Sequence, residues 1–361
     1  MNILYFMISD WNWIKQRPHF IAETLSNNYR IFVLYPHVWW DKKNMVNNDK
    51  PKNIVFLKLT ILPKSKSISL VGFINQIINR VQVKYYIRKY AISVIYISHP
   101  RQILVIPRTK MIIVYDCMDN YIQLENNSNT AESIMLLERR VLERSNLTLV
   151  SSENLSTYLS MKYHYNNALL IRNAYNGECY NNDASVNINM LKIAYIGTVS
   201  EWFDWDLVEK SLKTFDNIEY YIFGPISGKV SIPKNNKIHI MGSIDHEKLF
   251  SEVTKIDVLI MPFIVNELIE SVDPVKLYEY VGFGKIIISV FYKEIERFRN
   301  YVNFYNSQVE YEKFISDILN EKISSIDYSI RKAFLKDQTW NHRSMVIVNN
   351  LEQIIGGDKI E

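Results

Sequence analysis

Short runs of β-branched and other apolar residues alternate with longer amphipathic segments along almost the whole chain. This alternation is typical of parallel strands that are connected by crossover helices. In the first half the pattern predicts strands at Ile3–Ile8, Arg30–Tyr35, Ile54–Leu59, Val94–Ile97, Met111–Tyr115, Leu147–Val150 and Leu169–Ile171. It predicts helices over residues 18–27, 69–90, 130–145 and 153–161.

The pattern starts again after a polar, Asn-rich stretch, with strands predicted at Lys192–Ile196, Glu219–Phe223, Lys237–Met241, Val258–Met261 and Lys285–Ser289. We therefore expect an N-terminal domain over residues 1–172, a linker over 173–189 and a C-terminal domain over 190–338. The last segment, 339–361, contains a helix that can pack back on the first domain, although its pattern does not require this. Doubly wound sheets bind ligands beyond the carboxyl ends of their strands, so the expected site is the cleft between the domains.

The composition is that of a folded, globular protein, with 48% apolar and 22% charged residues among 361. No apolar run reaches the length of about 18 residues that spans a bilayer, and Met1–Ser9 lacks the basic start of a signal peptide. Cys117 and Cys179 stand far apart and outside any metal or redox spacing, which fits a reducing compartment. We therefore expect a cytoplasmic protein.

Positive charge is concentrated in one stretch. Between Lys50 and Tyr115 there are eight Lys and four Arg but no Asp or Glu, so this stretch carries +12 while the whole chain carries +4. Such an asymmetry indicates a face that meets an anionic surface. Nucleic acid is not the expected partner, because no known nucleic-acid module accompanies the charge.

The predicted helix over residues 69–90 lies inside this basic stretch. Its apolar residues follow helical spacing at Ile74, Ile77, Ile78, Val81 and Tyr85, while Arg80, Lys84 and Arg88 form a stripe at i, i+4 and i+8. One interpretation is an ordinary surface helix with snorkelling cations. The other is a patch over residues 64–90 that rests on anionic lipid at the inner face of a membrane and presents the site to a lipid-linked acceptor.

Four segments of the second half end its strands in a characteristic order. They are YIGTVSEWFD at 195–204, YIFGP at 221–225, IHIMGSIDHEKL at 238–249, and DVLIMPF with DPVKLYEYVGFGKIIIS within 257–289. In order and spacing they resemble the nucleotide-sugar half of GT-B glycosyltransferases, in particular family 4 and its teichuronic-acid and capsule relatives. The resemblance covers residues 190–290 well and the first domain only loosely. It implies an α/β, GT-B fold, with two doubly wound Rossmann-like domains facing across a cleft.

The implied activity is transfer of a sugar from a nucleotide-diphosphate sugar, with UDP favoured, to a glycan or lipid-linked saccharide acceptor in cell-surface polysaccharide biosynthesis. Two alternatives remain open. A catalytically silent GT-B partner would bind a nucleotide or glycan to support another transferase. A GT-B nucleotide-sugar epimerase would need acid/base carboxylates and histidines around the donor sugar, and the C-terminal half offers few.

One predicted helix carries the donor site. Asp273 as N-cap and Pro274 as first residue would leave the N–H groups of Val275, Lys276 and Leu277 pointing outward, where a diphosphate can bind. Lys276 and Glu279 are three residues apart and share a face. By resemblance Glu279 occupies the ribose-binding position. Gly284 is expected to end the helix in a left-handed cap.

The other predicted donor residues lie in turns after strands. Gly197 and Thr198 form a turn that lets phosphates or sugar approach the backbone. By resemblance, the loops that hold the base and ribose contain Phe223, Gly224, Met241, Gly242, Pro262 and Phe263. The alternative interpretation is that these are plain turns and that the Lys/Glu pair is a solvated helix surface.

The sequence departs from the family pattern at two places. Family 4 enzymes commonly have an Arg and a Lys on the diphosphate shortly after the first glycine turn, but here no cation occurs between Gly197 and Lys210, so Lys276 can replace them. The family's Glu-x(7)-Glu pattern would put its first Glu at Ser271, with Glu267 and Glu270 nearby. The carboxylate that contacts the sugar in the family therefore has no counterpart at position 271.

The predicted acceptor side is rich in Trp residues. Trp11, Trp13, Trp39 and Trp40 fall in loops after the first two strands, where their rings can stack on acceptor sugars or can simply pack together. Arg17 and His19 begin a helix next to these loops, and His99 ends another strand, so we expect Arg17 and His99 to contact the acceptor.

The catalytic prediction depends on stereochemistry. An inverting enzyme needs a base for the acceptor hydroxyl, and Asp119 is the first candidate, with His19 the second. A retaining enzyme, which the resemblance implies, can use the donor phosphate instead. Asp119 can also serve as a helix cap or loop hydrogen-bond acceptor.

No cofactor and no metal are expected. The Asp-x-Asp sequence at 204–206 is typical of a helix start, and no His/Cys cluster has metal spacing. The charge on the leaving diphosphate would then be stabilised by the helix dipole and Lys276.

Overall fold

The structure is a computed structural model, which describes residues 1–11, 15–38, 53–65, 67–125, 127–181, 186–228, 230–244 and 246–357. The chain divides into two compact units. Unit 1 comprises Met1–Asn173 together with Trp340–Glu361, and unit 2 comprises Ala174–Thr339.

Unit 1 is an α/β unit with a wholly parallel sheet. Its strands are β1 (Asn2–Phe6), β2 (Arg30–Val38), β3 (Ile54–Ile61), β4 (Val94–Ile97), β5 (Ile112–Cys117), β6 (Leu147–Val150) and β7 (Ala168–Leu170). Its helices are α1 (Arg17–Leu25), α2 (Ser69–Lys89), α3 (Ser128–Leu142), α4 (Glu153–Tyr163) and α11 (Trp340–Gly357), with a 3-10 helix at Pro100–Leu104. Within the described residues the sheet has seven strands, in the order β3-β2-β1-β4-β5-β6-β7.

The middle of this sheet is apolar on both faces, as expected for parallel strands that are covered on both sides. Every residue of β4, β5 and β6 is buried, and in β1 only Asn2 is partly exposed. Tyr5 and Tyr96 lie on the neighbouring strands β1 and β4, and their rings stack with centroids 4.4 Å apart. The core of unit 1 therefore lies on the strands in the middle of the sheet.

The last helix, α11, packs against α1. Trp340 is 2% exposed and stacks on Phe20 with ring centroids 5.2 Å apart. Ile347, Val348 and Leu351 lie on the following turns and are also buried. The helix that follows unit 2 in the sequence is therefore part of the core of unit 1.

Unit 2 has the same kind of architecture. Its strands are β8 (Leu191–Ile196), β9 (Ile218–Phe223), β10 (Ile238–Gly242), β11 (Val258–Met261), β12 (Ile286–Val290) and β13 (Asn303–Tyr305). Its helices are α5 (Trp205–Thr214), α6 (His246–Val253), α7 (Glu267–Glu270), α8 (Val275–Phe283), α9 (Gln308–Leu319) and α10 (Tyr328–Lys336), with a 3-10 helix at Lys293–Phe298. The described part of this sheet has six parallel strands in the order β10-β9-β8-β11-β12-β13.

The predicted architecture of two doubly wound parallel α/β units is confirmed. The sequence pattern does not identify β13, a three-residue strand that begins with Asn303 and of which Tyr305 alone is buried. Residues 174–181, which the sequence predicts as part of a linker, are hydrogen-bonded into unit 2. The Tyr175 amide donates to the Gln338 carbonyl at 2.6 Å, and the Tyr180 amide donates to the Gly282 carbonyl at 2.9 Å.

Trp340→Ala is expected to lower the free energy of unfolding by about 3–5 kcal/mol, because it removes a buried aromatic side chain and leaves a cavity beside Phe20. Chemical unfolding followed by circular dichroism would measure this. The matched control is Met345→Ala on the same helix, where the side chain is 48% exposed, and its effect should stay within about 0.5 kcal/mol. Equal effects of the two variants would contradict the assigned packing.

Candidate functional site

Unit 2 reverses its strand order between β8 and β11. The chain leaves β8 for β9 on one side and leaves β11 for β12 on the other. β8 pairs with β9 as far as Ile196, but its pairing with β11 stops at Ala194. A crevice where two such strands diverge at their carboxyl ends is the usual ligand site of a doubly wound sheet.

Tyr280 fills the base of this crevice. Its hydroxyl accepts a hydrogen bond from the Ile196 amide at 2.9 Å and donates one to the Ile260 carbonyl at 3.2 Å. The side chain is fully buried, and burial raises the pKa of its hydroxyl, so the group remains a neutral donor. Tyr280 therefore hydrogen-bonds helix α8 both to the last residue of β8 and to β11.

Two glycines form the turns above these strands. Gly197 has φ +146° and Gly224 has φ +142°, in the region that favours glycine. A Cβ on Gly224 would lie 2.1 Å from the Gly197 carbonyl oxygen, and a Cβ on Gly197 would lie 1.9 Å from Cε of Lys276. No side chain fits at either position, so the glycine turn and the lysine of α8 are in direct contact.

Lys276 is a half-buried cation at this point. Burial lowers the pKa of its ammonium, while the negative charge of Glu279 opposes that shift. Its Nζ lies 5.8 Å from the ring centroid of Tyr195. Among the residues that the structure describes, the Lys276 ammonium forms neither a hydrogen bond nor an ion pair, and Glu279 acts on it only through its charge. An anion bound here would compensate the charge.

Helix α8 begins differently from the prediction. Pro274 is its N-cap and Val275 its first residue, so the prediction that Asp273 is the N-cap is wrong. Asp273 is 1% exposed, and its carboxylate accepts a hydrogen bond from the Arg297 guanidinium instead. A buried carboxylate is more stable with a cation than with one backbone amide, which explains the difference.

Because α8 begins at Val275, Leu277 differs from the prediction as well. Its amide donates to the Pro274 carbonyl at 3.2 Å and its side chain is fully buried, so Leu277 does not offer the free N–H that the sequence predicts. The amides of Val275 and Lys276 precede the first hydrogen-bonded residue of the helix and remain at its positive end. At the other end Gly284 has φ +73° and forms the expected left-handed cap.

The remaining predicted donor residues lie at the carboxyl ends of neighbouring strands. Phe223 is 2% exposed, so its side chain belongs to the core and only its backbone reaches the turn. The Gly224 amide donates to the Gly242 carbonyl at 2.7 Å, which joins the ends of β9 and β10, and Met241 is 45% exposed beside them.

The loops after β8 and β11 are also joined. The Asp204 amide donates to the Pro262 carbonyl at 2.8 Å, and the Thr198 carbonyl accepts from the Tyr195 hydroxyl at 2.9 Å. Phe263 is buried, so its side chain packs in the core. Asp204 is the N-cap of α5 and accepts from the Leu207 amide at 2.9 Å, which confirms the predicted helix start. In the described residues no group of three or more His, Cys, Asp or Glu side chains is placed to hold a metal ion.

A separate pocket lies in unit 1 beside the ends of β1, β4 and β5. Its volume is about 320 Å³, and it is lined by Ile8, Ser9, Gln16, Pro18, His19, His99, Met118, Asp119, Tyr121, Leu124 and Glu125. It brings together the three predicted residues Asp119, His19 and His99.

Asp119 is the group of this pocket that is best suited to accept a proton. Burial raises the pKa of its carboxyl to about 7; the charge of Arg17 lowers it, and that of Asp116 adds to the rise. A base with a pKa near neutrality is both available and effective at physiological pH.

The prediction of His19 as a second base is wrong. Its Nδ1 accepts from the Gln16 amide at 3.2 Å, and its Nε2 lies 3.1 Å from the Trp11 carbonyl, to which it donates. With both nitrogens engaged the ring has no lone pair left for a substrate proton, and burial lowers its pKa. The ring instead caps the start of α1.

His99 caps the 3-10 helix that follows β4. Its Nδ1 accepts from the Arg101 amide at 3.1 Å, and its ring lies 4.5 Å from that of Tyr121. Burial, together with the charge of Arg101, lowers its pKa to about 4, so the ring is neutral and its Nε2 carries the hydrogen. His99 is thus a neutral donor in the lining of the pocket.

The prediction that Arg17 contacts the acceptor is also wrong. Arg17 is 4% exposed and forms an ion pair with Asp116, with Nη2 and Oδ1 2.8 Å apart. Its Nη1 donates to the Ile171 carbonyl at 2.7 Å. Asp116 also accepts from the Tyr96 hydroxyl at 2.9 Å. A signal for this cluster does exist in the sequence, since a carboxylate inside the apolar run 111–117 requires a buried partner.

The aromatic residues of the first loops are only partly described. The Trp11 ring lies 4.9 Å from that of His19 and 5.0 Å from that of Phe56, so it packs inside unit 1. Trp13, Trp39 and Trp40 lie outside the described residues. The cations Arg80, Lys84 and Arg88 are exposed on α2, and none of them lines the pocket.

No protein-family model matches the sequence, and no curated protein matches it either. Solved structures match over almost the whole chain. A sucrose-phosphate synthase from Thermosynechococcus elongatus has a TM-score of 0.76 at 12% identity and covers 99% of both chains. Anabaena HepE in complex with UDP and glucose has a TM-score of 0.63 at 11% identity, covering 97% of this chain and 99% of its own.

A third match is the Escherichia coli structure described as trehalose-6-phosphate bound with UDP-2-fluoro glucose. It has a TM-score of 0.65 at 10% identity and covers 98% of this chain and 99% of its own. The fold of the chain is that of GT-B glycosyltransferases.

Tyr280→Phe is expected to destabilise unit 2 by about 1–3 kcal/mol, because it leaves the buried Ile196 amide without an acceptor. Unfolding curves would measure this. In the control Tyr328→Phe, which removes the hydroxyl of a partly exposed residue on α10, stability should not change. Unchanged stability of Tyr280→Phe would refute the assigned hydrogen bonds.

Proposed function

We propose that this chain, which has the GT-B fold, is a glycosyltransferase that uses a nucleotide-diphosphate sugar. It transfers the sugar to a glycan or lipid-linked saccharide in cell-surface polysaccharide biosynthesis, without a metal ion. The observation that carries this proposal is the contact between Lys276 on the first turn of α8 and the turn at Gly197.

The donor diphosphate binds at the amino end of α8. The amides of Val275 and Lys276 and the positive end of the helix dipole provide hydrogen bonds and partial positive charge. The Lys276 ammonium adds a full charge next to the glycine turn, where the backbone leaves room for phosphate oxygens. Glu279, one turn later, accepts hydrogen bonds from the ribose hydroxyls.

The same groups favour bond cleavage. As the glycosidic bond breaks, negative charge develops on the leaving diphosphate, and preorganised donors stabilise it more in the transition state than in the ground state. Lys276 does this in place of the Arg and Lys that family 4 enzymes place after the first glycine turn. It also removes the need for a bound cation.

UDP is the nucleotide that we favour. The structurally similar HepE is described in complex with UDP and glucose, and another similar structure is bound with UDP-2-fluoro glucose. Thr198 and Gly224 lie in the turns after β8 and β9, and Met241 and Gly242 lie at the end of β10, where the base and ribose would bind.

Asp119 is the proposed base if the reaction inverts the anomeric centre. It would take the proton of the acceptor hydroxyl, while the neutral His99 donates a hydrogen bond to the acceptor. In a retaining reaction the donor phosphate takes this proton and Asp119 is not needed. The two mechanisms differ in their dependence on pH, which makes them separable.

A second candidate function is a catalytically silent GT-B partner. The absence of a cation between Gly197 and Lys210 favours it, since the diphosphate then has fewer charged contacts than in the family pattern. Such a protein would bind nucleotide without releasing it from a donor sugar. An epimerase would alter the sugar without release of nucleotide.

We also propose that the enzyme works at the inner face of a membrane, to which the basic residues within 64–90 direct it. None of the described helices is both long enough and apolar enough to cross a membrane. The contact would therefore be peripheral.

Lys276→Ala and Glu279→Ala are each expected to weaken UDP binding by about tenfold or more, because each removes a charged hydrogen-bonding group worth about 1.5–3 kcal/mol. Isothermal titration with UDP, GDP and dTDP, in a buffer that contains a chelator, would measure this. The control is Lys313→Ala, which removes an exposed cation on α9.

Three outcomes separate the candidate functions. Nucleotide release from a UDP-sugar that requires an acceptor supports transfer. Binding without release supports the silent partner, and an altered sugar without release supports the epimerase. Unchanged UDP affinity in both variants would remove the donor site proposed at α8.

If Asp119 is the base, the rate of transfer should rise with pH up to about 7 and then level off, because the carboxylate must be ionised. Asp119→Asn should lower the rate by about 10²–10⁴-fold. Its pKa is raised from 3.8 to about 7 in the folded state, so stability falls between these two pH values, where the unfolded chain ionises first, and the full cost is present above about pH 7. The Asn variant should therefore be at least as stable as the parent at pH 8. A flat pH profile together with an active Asn variant would favour the retaining mechanism.

A further inference from the structure

Helix α2 packs on unit 1 with polar side chains in its first half. In the described part of the sheet β3 is an edge strand, and two side chains of α2 bind the backbone of β3 and of the residue that follows it. Asn75 Oδ1 accepts from the Leu62 amide, just after β3, at 2.8 Å. Gln82 Oε1 accepts from the Thr60 amide at 3.2 Å, and Gln82 Nε2 donates to the Lys58 carbonyl at 2.9 Å.

The inward face of α2 is consequently amide-rich. Asn75 and Asn79, in the first half of this face, are 7% and 4% exposed. Further along the helix Val83 is fully buried, and Tyr86 and Ile87 pack against the core of unit 1. A soluble amphipathic helix normally does the reverse and turns its apolar stripe to the core. For Asn75 and Gln82 the need to satisfy backbone groups at the end of β3 explains this placement.

The apolar face of α2 therefore points away from unit 1. Its side chains are between 39% and 67% exposed and recur at helical spacing: Leu70, Phe73, Ile74, Ile77, Ile78, Val81 and Tyr85. Single exposed apolar residues are normal on a protein surface, but a continuous stripe of this length marks an interaction site. The interpretation of α2 as an ordinary surface helix does not explain this face.

The charges beside the stripe indicate what covers it. Arg80, Lys84, Arg88 and Lys89 lie on the same helix and are exposed, and α2 contains no acidic residue. A second copy of the chain would bring four cations against four cations, which is unfavourable. An anionic lipid surface complements both the cations and the apolar side chains.

We propose that α2 is an interfacial membrane helix. Its apolar side chains insert between the acyl chains of an anionic leaflet, while its Lys and Arg side chains contact the lipid headgroups. This differs from a purely electrostatic contact, because the apolar residues, not only the cations, hold the helix in the bilayer. That this position serves a lipid-linked acceptor rests on the proposed function, but the membrane binding itself does not.

Flotation of the full chain with vesicles tests the proposal. Vesicles of phosphatidylcholine mixed with phosphatidylglycerol are compared with vesicles of phosphatidylcholine alone. The triple variant Phe73→Ser, Ile77→Ser, Val81→Ser should bind anionic vesicles at least about tenfold more weakly, and what binding remains should be lost in high salt. The variant Arg80→Glu, Lys84→Glu, Arg88→Glu should lose the preference for anionic lipid, with an effect on the order of 100-fold.

Matched controls keep the same chemistry at other exposed positions. Leu136→Ser, Met161→Ser and Val309→Ser replace side chains that are 59%, 77% and 75% exposed outside α2, and this triple variant should float like the parent. Arg139→Glu, Arg140→Glu and Lys162→Glu form the control for charge. Circular dichroism confirms that each variant is folded.

Three results would overturn the proposal. One is a parent chain that does not float with anionic vesicles, and another is an apolar triple variant that floats unchanged. The third is a parent that dimerises through α2 in size-exclusion chromatography and does not float, which would assign the stripe to a second copy. Lys276→Ala should float like the parent, so failure of the donor site and failure of membrane binding give different results.

Discussion

The candidate donor site depends on one buried hydroxyl. β8 and β11 separate before their carboxyl ends, which leaves backbone groups of Ile196 and Ile260 to be satisfied. Tyr280 satisfies both. Because Tyr280 lies on α8, these hydrogen bonds fix the position and the rotation of that helix relative to β8 and β11. Lys276 is one turn earlier on the same helix, so its ammonium is placed against the Gly197 turn. The strand geometry therefore determines where the charge of the site lies.

In unit 1 a buried ion pair fixes the position of a helix relative to the strands. Arg17 at the start of α1 links Asp116 on β5 to the Ile171 carbonyl after β7. A buried ion pair adds little net stability, but removal of one partner leaves an uncompensated charge, so the arrangement fixes which elements meet. Both members of the pair also shift the pKa of the Asp119 carboxyl: Arg17 lowers it and Asp116 raises it.

The fold could be predicted from the sequence because apolar strands and amphipathic helices alternate with clear turn signals. The placement of Lys276 and Glu279 on one helix, and of Gly197 in a turn after a strand, could be predicted in the same way. Side-chain partners across the sheet could not. Asp273 stands where an N-cap is expected, but its carboxylate pairs with Arg297, 24 residues later in the chain. Arg17 and His19 have the position of site residues but are used to hold α1. The orientation of α2 could not be predicted either. Periodicity shows that the helix has an apolar and a polar face, but it does not show which face packs against unit 1.

The amide contacts between α2 and β3 have one more consequence. A free edge strand is a template for pairing with the strands of other molecules, and proteins commonly cover such edges to avoid aggregation. Here Asn75 and Gln82 supply that cover, so the same helix both shields a sheet edge and exposes an apolar surface. Deleting α2 in order to obtain a better-behaved protein would uncover β3, and it would replace one aggregation-prone surface with another.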